Sequence, residues 1–280
     1  MTASEGERYN SDAKVTKKNE YLCTPKRDIM LRENTVFGPI HSRRLGNSLG
    51  INLLPERGKL CNFDCIYCEC GWNRDGRDDT TLPTAAKVRS DLERLLTQCR
   101  DRQTPVDSIT FSGDGEPTLH PDFGVVIGDT LALRDRYFPQ AQVSVLSNAT
   151  QVYRREVLEA LRRVDNPIMK LDAPTNEMAV RINRPGPGYD VHQVVESLRR
   201  FEGDFILQTC LLRSADFDST QPDVIDGWMA IVRTLRPRRV MLYTIDRPTP
   251  QQGLQKVGVD EMRQLVQPLL DEGVCIDFYG

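Results

Sequence analysis

Lys59-Leu60-Cys61-Asn62-Phe63-Asp64-Cys65-Ile66-Tyr67-Cys68-Glu69-Cys70 gathers half of the chain's cysteines into one short run. Thiolates are soft ligands that suit iron–sulfur clusters and zinc, and a short loop brings several to one metal site. Cys61, Cys65 and Cys68, spaced C-x3-C-x2-C, supply three ligands from a single turn. A [4Fe–4S] cube needs four, so three protein ligands leave one iron open to an exogenous chelate. Tyr67 stands just before the third cysteine, where its ring would wall the metal from solvent. The rival reading is a four-cysteine zinc knot that also uses Cys70. Closed zinc sites pair two C-x2-4-C arms across a longer span. Here only Cys65 and Cys68 form such an arm, and a single residue separates Cys68 from Cys70.

Outward from this run the chain alternates in type. Pro55, Gly58 and Gly71 bound the cysteine loop. Before it, β-formers mixed with glycine from Val36 read as an extended lead-in to a first strand at Leu49–Leu54. After it, Val88, Leu92, Leu95 and Leu96 place a helix over Thr84–Arg100. Strands are then expected at Ser108–Ser112, Gln142–Leu146, Pro167–Leu171, Phe205–Leu211, Val240–Ile245 and Val274–Phe278. Helices are expected at Phe123–Arg136, Arg154–Val164, Val191–Phe201, Val224–Leu235 and Glu261–Glu272. Short apolar strands separated by amphipathic helices imply an α/β fold, a parallel sheet with right-handed crossovers. Such sheets carry their chemistry at the carboxyl ends of the strands.

The whole chain fits that reading. At 280 residues, 39% hydrophobic and 28% charged, it can bury one substantial core. Residues 1–34 are polar and are expected to form a flexible arm, leaving 35–280 as the core domain. No stretch approaches the roughly 18 apolar residues of a membrane span, so no membrane partner is expected. The first twenty residues lack the apolar centre of a signal peptide, so the expected location is cytoplasmic. The formal net charge of -3 argues weakly against general RNA binding. Eight cysteines without an export signal argue for metal or redox work rather than disulfides. Cys99, Cys210 and Cys275 are scattered over expected helices and strands and read as core residues.

The Cys61-x3-Cys65-Ile66-Tyr67-Cys68 signature resembles that of the radical S-adenosylmethionine (SAM) superfamily. Gly113-Asp114-Gly115-Glu116-Pro117 after the next strand resembles that superfamily's GGEP motif, with Asp114 inserted between the glycines. Gly38-Pro39-Ile40-His41-Ser42-Arg43-Arg44-Leu45-Gly46, Lys170-Leu171-Asp172 and Arg181-Ile182-Asn183-Arg184-Pro185 are similar to a subgroup of iron–sulfur oxidoreductases related to the wyosine-type tRNA base synthase. The archaeal wyosine synthases carry extra upstream cysteines for a second cluster. Only Cys23 lies upstream here, so one cluster is expected.

The resemblance implies a partial (β/α)6 TIM-like barrel with one [4Fe–4S] cluster on Cys61, Cys65 and Cys68 at its mouth. SAM would chelate the open iron, and an electron from a donor such as flavodoxin or ferredoxin would cleave it to a 5'-deoxyadenosyl radical. That radical would take hydrogen from an RNA base, a peptide or a small molecule. The competing class is an iron- or zinc-binding sensor or scaffold without SAM chemistry, which leaves the later strand-end motifs unexplained.

Further cofactor contacts are expected around that mouth. Gly113 and Gly115 let backbone approach a ligand closely, with Asp114 between them and Glu116 adding charge or bracing the loop. The same residues also fit a plain turn into a helix begun by Pro117. Ser147 and Asn148 close a strand where short polar side chains meet ribose, or they cap a helix. Lys170 and Asp172 share one strand face and would take the SAM carboxylate and ribose, or pair with each other. One of Gln208 and Thr209 must face inward and needs a partner. Tyr243, Asp246 and Arg247 would line the cavity or form rim salt bridges, Arg43 and Arg44 would hold an anion, and His120 would orient its loop.

Overall fold

A computed structural model describes residues 34–42, 44–56, 58–75 and 79–280. The expected arm, Cys23 and Arg43 lie outside the described residues.

The chain opens with β1 (Val36–Ser42) and β2 (Gly46–Ile51), an antiparallel hairpin in which Val36 pairs with Ile51. The lead-in is thus a strand, and the first parallel strand starts three residues earlier than its apolar run suggests. Just past β2, Asn52 N still donates to Thr35 O at 2.8 Å, while the Asn52 side chain turns to Asp114, as described below. After the cysteine loop come α1 (Ala85–Asp101), β3 (Ser108–Phe111), α2 (Phe123–Tyr137), β4 (Gln142–Ser147), α3 (Arg155–Leu161) and β5 (Asn166–Lys170). Then follow α4 (Asn176–Ile182), α5 (Val191–Arg199), β6 (Ile206–Cys210), β7 (Leu212–Arg213), α6 (Pro222–Leu235), β8 (Arg239–Tyr243) and β9 (Gln255–Lys256). The chain closes with α7 (Val259–Leu265), α8 (Gln267–Asp271) and β10 (Ile276–Tyr279).

The main sheet runs β1-β2-β3-β4-β5-β6-β8-β10 and is parallel from β2 onward. It curls into the expected partial barrel, with β10 added beyond the six-strand core. Strand alternation divides its residues between two faces. Ile109, Phe111, Val143, Val145, Leu207 and Leu242 face the helices in the principal core. On the inner face, Ser48 and Thr110 share a 2.7 Å hydrogen bond and Ser108 meets Ser144 at 3.3 Å. Ile168, Ile206 and Met241 form the apolar part of that face.

Local chemistry explains the element ends. The Thr84 side chain accepts from Lys87 N at 3.2 Å, capping α1, and Val88, Leu92, Leu96 and Cys99 bury one stripe of it. The expected helix Glu261–Glu272 is two short helices hinged at Val266, because Pro268 lacks an amide hydrogen and its ring opposes a continuous helix. The seven-residue α4 was not expected; it buries only Ala179 and Ile182, too little for a periodic signal. Cys99 and Cys210 are buried as expected, but Cys275 is exposed, since it enters β10 at the sheet's edge.

Candidate cluster and cofactor site

The cysteine loop leaves the carboxyl end of β2 and is held from three sides. On the first, Lys59 Nζ donates to Gly71 O at 2.6 Å and reaches Asp64 Oδ1 at 3.4 Å, its side chain only 2% exposed. Asn73 donates from Nδ2 to the carbonyls of Cys61 and Phe63, at 3.1 and 3.0 Å, and from its backbone to Asp64 Oδ1 at 2.8 Å. These bonds tie the two ends of the loop to its middle. Burial opposes the Lys59 charge, but the field of Cys68, Cys61, Asp64 and Cys65 outweighs it and raises the ammonium above its ordinary range.

On the second side stands the Gly113–Pro117 segment. Leu60 N donates to Asp114 O and Glu116 N to Leu60 O, both at 3.0 Å. Asn52 and Asp114 clasp each other, Asp114 N to Asn52 Oδ1 at 3.2 Å and Asn52 Nδ2 to Asp114 Oδ2 at 3.4 Å. A Cβ on Gly115 would lie 1.9 Å from Leu60 O, and one on Gly113 would lie 2.0 Å from Asn52 Oδ1. Both glycines therefore admit close approach, but of the protein's own loop and of Asn52. Glu116 is 2% exposed and accepts from Thr118 N at 3.1 Å, Ser147 Oγ at 2.8 Å, Asn148 N at 2.6 Å and the Thr118 hydroxyl. Burial pushes its carboxyl above the ordinary range and these bonds pull it partly back. Glu116 thus braces the loop and caps the turn that Pro117 begins, while Ser147 is engaged by it.

The third side is the segment after α4. Asp64 N donates to Asn183 O at 2.9 Å, Ile66 N to Ile182 O at 3.0 Å and Gly186 N to Asn62 O at 2.8 Å, zipping residues 182–186 onto the loop. The Asn183 side chain donates to Cys65 Sγ at 3.4 Å and to Asp172 Oδ2 at 2.6 Å. Asp172 also accepts from Tyr67 OH and, at 2.9 Å, from Cys210 N. Across the loop, Asn148 Nδ2 binds Asn62 Oδ1 at 2.7 Å and points to Cys61 Sγ at 3.8 Å.

Most of the sequence-predicted residues converge on this loop. Lys170 and Asp172 share the inner face, yet Asp172 serves Tyr67 and Asn183, while Lys170 Nζ lies 4.0 Å from Cys65 Sγ and 5.1 Å over the Tyr67 ring. Gln208 faces inward. Thr209 faces the helices, accepting from Trp228 Nε1 at 3.0 Å and donating to Leu171 O at 2.7 Å. Tyr243 faces inward beside Tyr67, with ring centroids 6.5 Å apart. Asp246 and Arg247 form rim ion pairs with Lys256 and Glu69, at 3.3 and 2.6 Å. His120 orients its loop, meeting Pro83 O at 2.8 Å and accepting from Asp122 N at 3.1 Å. Asn52, Asn73 and Asn183 were missed as site residues, because amides carry no spacing signature. Only Asn183 sat in a motif that could have flagged it.

The thiols are electrostatically distinct. Burial pushes Cys61 up to about 12. The Cys70 thiol, Lys59 and Lys170 together lower Cys68 to about 5. Among the described residues no three His, Cys, Asp or Glu groups close on a single-ion position.

The radical SAM superfamily model matches residues 56–210, more than half of the chain, and the chain belongs to that superfamily. Its narrower kinship is with UPF0026 proteins: it is 30% identical over 253 residues to one from Helicobacter pylori, covering 88% of this chain and 77% of that one. It is also 31% identical over 262 residues to a Brachyspira hyodysenteriae protein named GTPase Obg, covering 92% of this chain but spanning only 37% of that protein. Among solved structures, a radical SAM methyltransferase from Sphaerobacter thermophilus superposes with a TM-score of 0.63 at 15% identity, over 83% of this chain and 66% of that one. Streptococcus suis SuiB bound to S-adenosylmethionine gives 0.59 at 16%, over 82% and 50%. TYW1 with a lysine-pyruvate adduct gives 0.57 at 16%, over 81% and 74%. Superfamily membership makes SAM and an iron–sulfur cluster the cofactors, and it requires an electron donor. No helix among the described residues is long and apolar enough to cross a membrane.

Proposed function

We propose that residues 35–280 form a radical SAM oxidoreductase core that carries one [4Fe–4S] cluster on Cys61, Cys65 and Cys68 and acts on a substrate held inside the half-barrel. The observation that carries this reading is the three-sided support of one cysteine loop, with amide donors aimed at Cys61 and Cys65. The donor set fits a cube: three soft thiolates from one short loop suit an iron–sulfur cluster whose fourth iron is left to another ligand. When bound, the cluster and SAM supply a 5'-deoxyadenosyl radical that removes a hydrogen atom from the substrate.

The chain's own residues do the rest. The carbonyls of Gly113 and Gly115, with Asp114 between them, border the loop where the SAM amine would be held. Lys170, beside Cys65, would take the SAM carboxylate, and burial of its charge is outweighed by the field of Cys65, Tyr243 and Asp172. Asn148 borders Cys61 and is suited to a ribose hydroxyl. Glu116, Ser147 and Asp172, whose oxygens are engaged by protein, hold these groups in place and keep water from the thiols. Lys59 offsets the negative charge that three thiolates bring into a buried loop. Flavodoxin or ferredoxin is the class of electron donor we assign.

Anaerobic reconstitution with iron and sulfide, followed by EPR of the reduced protein with and without SAM, tests the proposal. A [4Fe–4S]+ signal that shifts on adding SAM, with 5'-deoxyadenosine formed under reducing conditions, is the expected result. A stoichiometric zinc protein that ignores SAM would overturn it.

A further inference from the structure

We infer that the inner face of the half-barrel binds a small substrate through an oxyanion, a carboxylate or phosphate, held by Arg44, with Gln208 taking a second polar group. The inference rests on the radical SAM reading for the reaction it serves, but not for the binding itself.

Gln208 is the first observation. It lies on the inner face of β6, only 5% exposed, and its amide atoms are not among the sealed, unpaired ones, Asn73 Oδ1 and Thr130 Oγ1, so the amide opens onto the inner face. An amide at that position offers a ligand both an acceptor oxygen and two N–H donors in exchange for water. In register beside it on β5 stands Lys170, and Cys210, two residues on, is paired with Tyr243 on β8.

Arg44 is the second. It sits in the turn between β1 and β2, and its guanidinium carbon lies 5.2 Å from the centroid of the Tyr243 ring. Leu45, next in the turn, packs against Ile168, Ile206 and Met241, which anchors the turn on the inner face. Among the described residues no carboxylate comes within ion-pair distance of Arg44. Lys170 lies beside the Cys65 sulfur, Arg239 is paired with Asp277, and Asp172 is engaged by Tyr67, Asn183 and Cys210. Among the described residues Arg44 is therefore an inner-face cation that lacks a counter-charge. A guanidinium over an aromatic ring keeps its in-plane N–H fork for donation, and that fork matches a carboxylate or phosphate edge. The apolar floor of Ile168, Ile206 and Met241, bordered by Tyr279, suits the hydrocarbon part of a compact molecule.

The test is calorimetric titration of the cluster-loaded, SAM-bound protein with inorganic phosphate and with succinate, at ionic strength matched by chloride. The wild type is expected to bind at least one probe, and Arg44→Gln and Gln208→Met are each expected to weaken it about tenfold or more, the scale of a lost charge-assisted or buried hydrogen bond. Arg155→Gln, on the outer helix α3 and paired there with Glu159, is expected to bind like wild type. Preference for phosphate or for succinate distinguishes the two oxyanions. Equal affinity in wild type and Arg44→Gln, or no binding of either probe by wild type, would overturn the inference. So would an Arg44→Gln protein that loses its SAM-shifted EPR signal while keeping probe affinity, since Arg44 would then serve the cofactor. If Arg44→Gln does not fold, Gln208→Met gives the same decision. A wild type that binds the probes but gives no cluster signal would count against the proposed function alone.

Discussion

Lys59 and Glu116 are single buried charges on opposite flanks of one loop, and each is surrounded by partners rather than solvent. Lys59 closes the loop through Gly71 and Asp64. Glu116 collects four donors, and its Gln replacement would turn an amide N–H toward at least one donor that cannot reverse. Glu116→Gln is therefore expected to destabilise the fold by about 1–3 kcal/mol, read from chemical denaturation midpoints. The cysteines divide by position. Cys65→Ala should abolish the cluster, measured as iron per chain and loss of the reduced EPR signal. Cys70→Ser should retain both, because Cys70 Sγ is directed to Gly113 O and Asp114 Oδ1, at 3.9 and 3.7 Å. Retention of the cluster by Cys65→Ala would place the metal elsewhere.

Two short segments without much regular structure decide how the loop is held. Residues 182–186 pair with it backbone to backbone, and Asn183 adds an N–H to the Cys65 sulfur. Donors to cluster sulfurs stabilise the more negative reduced state, so their loss lowers the potential. Asn183→Leu is expected to shift the reduction equilibrium about tenfold, ~59 mV more negative for one electron, with Asn183→Ser closer to wild type. An unchanged potential in a redox titration would leave Asn183 a purely mechanical strap. Gly115 has φ +141 and no room for a side chain against Leu60 O. Gly115→Ala is expected to lower both the unfolding temperature and the iron retained, by prising the two segments apart. Helices α1, α2 and α6 were legible because several buried side chains recur at helical spacing. The short α4 and the two-residue strands β7 and β9 were not, since their places are set by what they pack against.

At the scale of the whole molecule, the barrel does not depend on metal for its core. The principal apolar cluster lies between the sheet and its helices, whereas Cys61, Cys65 and Cys68 belong to a second, smaller one. Removing iron with a chelator is expected to leave far-UV circular dichroism nearly unchanged while lowering the unfolding temperature, as loss of any ligand bound only by the native state does. Collapse of the helical signal on chelation would show instead that the cluster is a folding centre.

The alternation of strands and helices, the C-x3-C-x2-C run and the glycine segment after β3 were readable in the chain itself, because periodicity and spacing are local properties. The sequence alone therefore determined the α/β class, the family resemblance and the cysteines to examine. Which oxygen of Asp172 meets Tyr67, why the glycines face Leu60 and Asn52, and how Arg44 comes to lie over Tyr243 were decided only by tertiary structure. Those contacts join residues up to about two hundred positions apart, and hydrogen-bond partnership at that range follows from where the curled sheet brings its strand ends, not from any pattern along the chain.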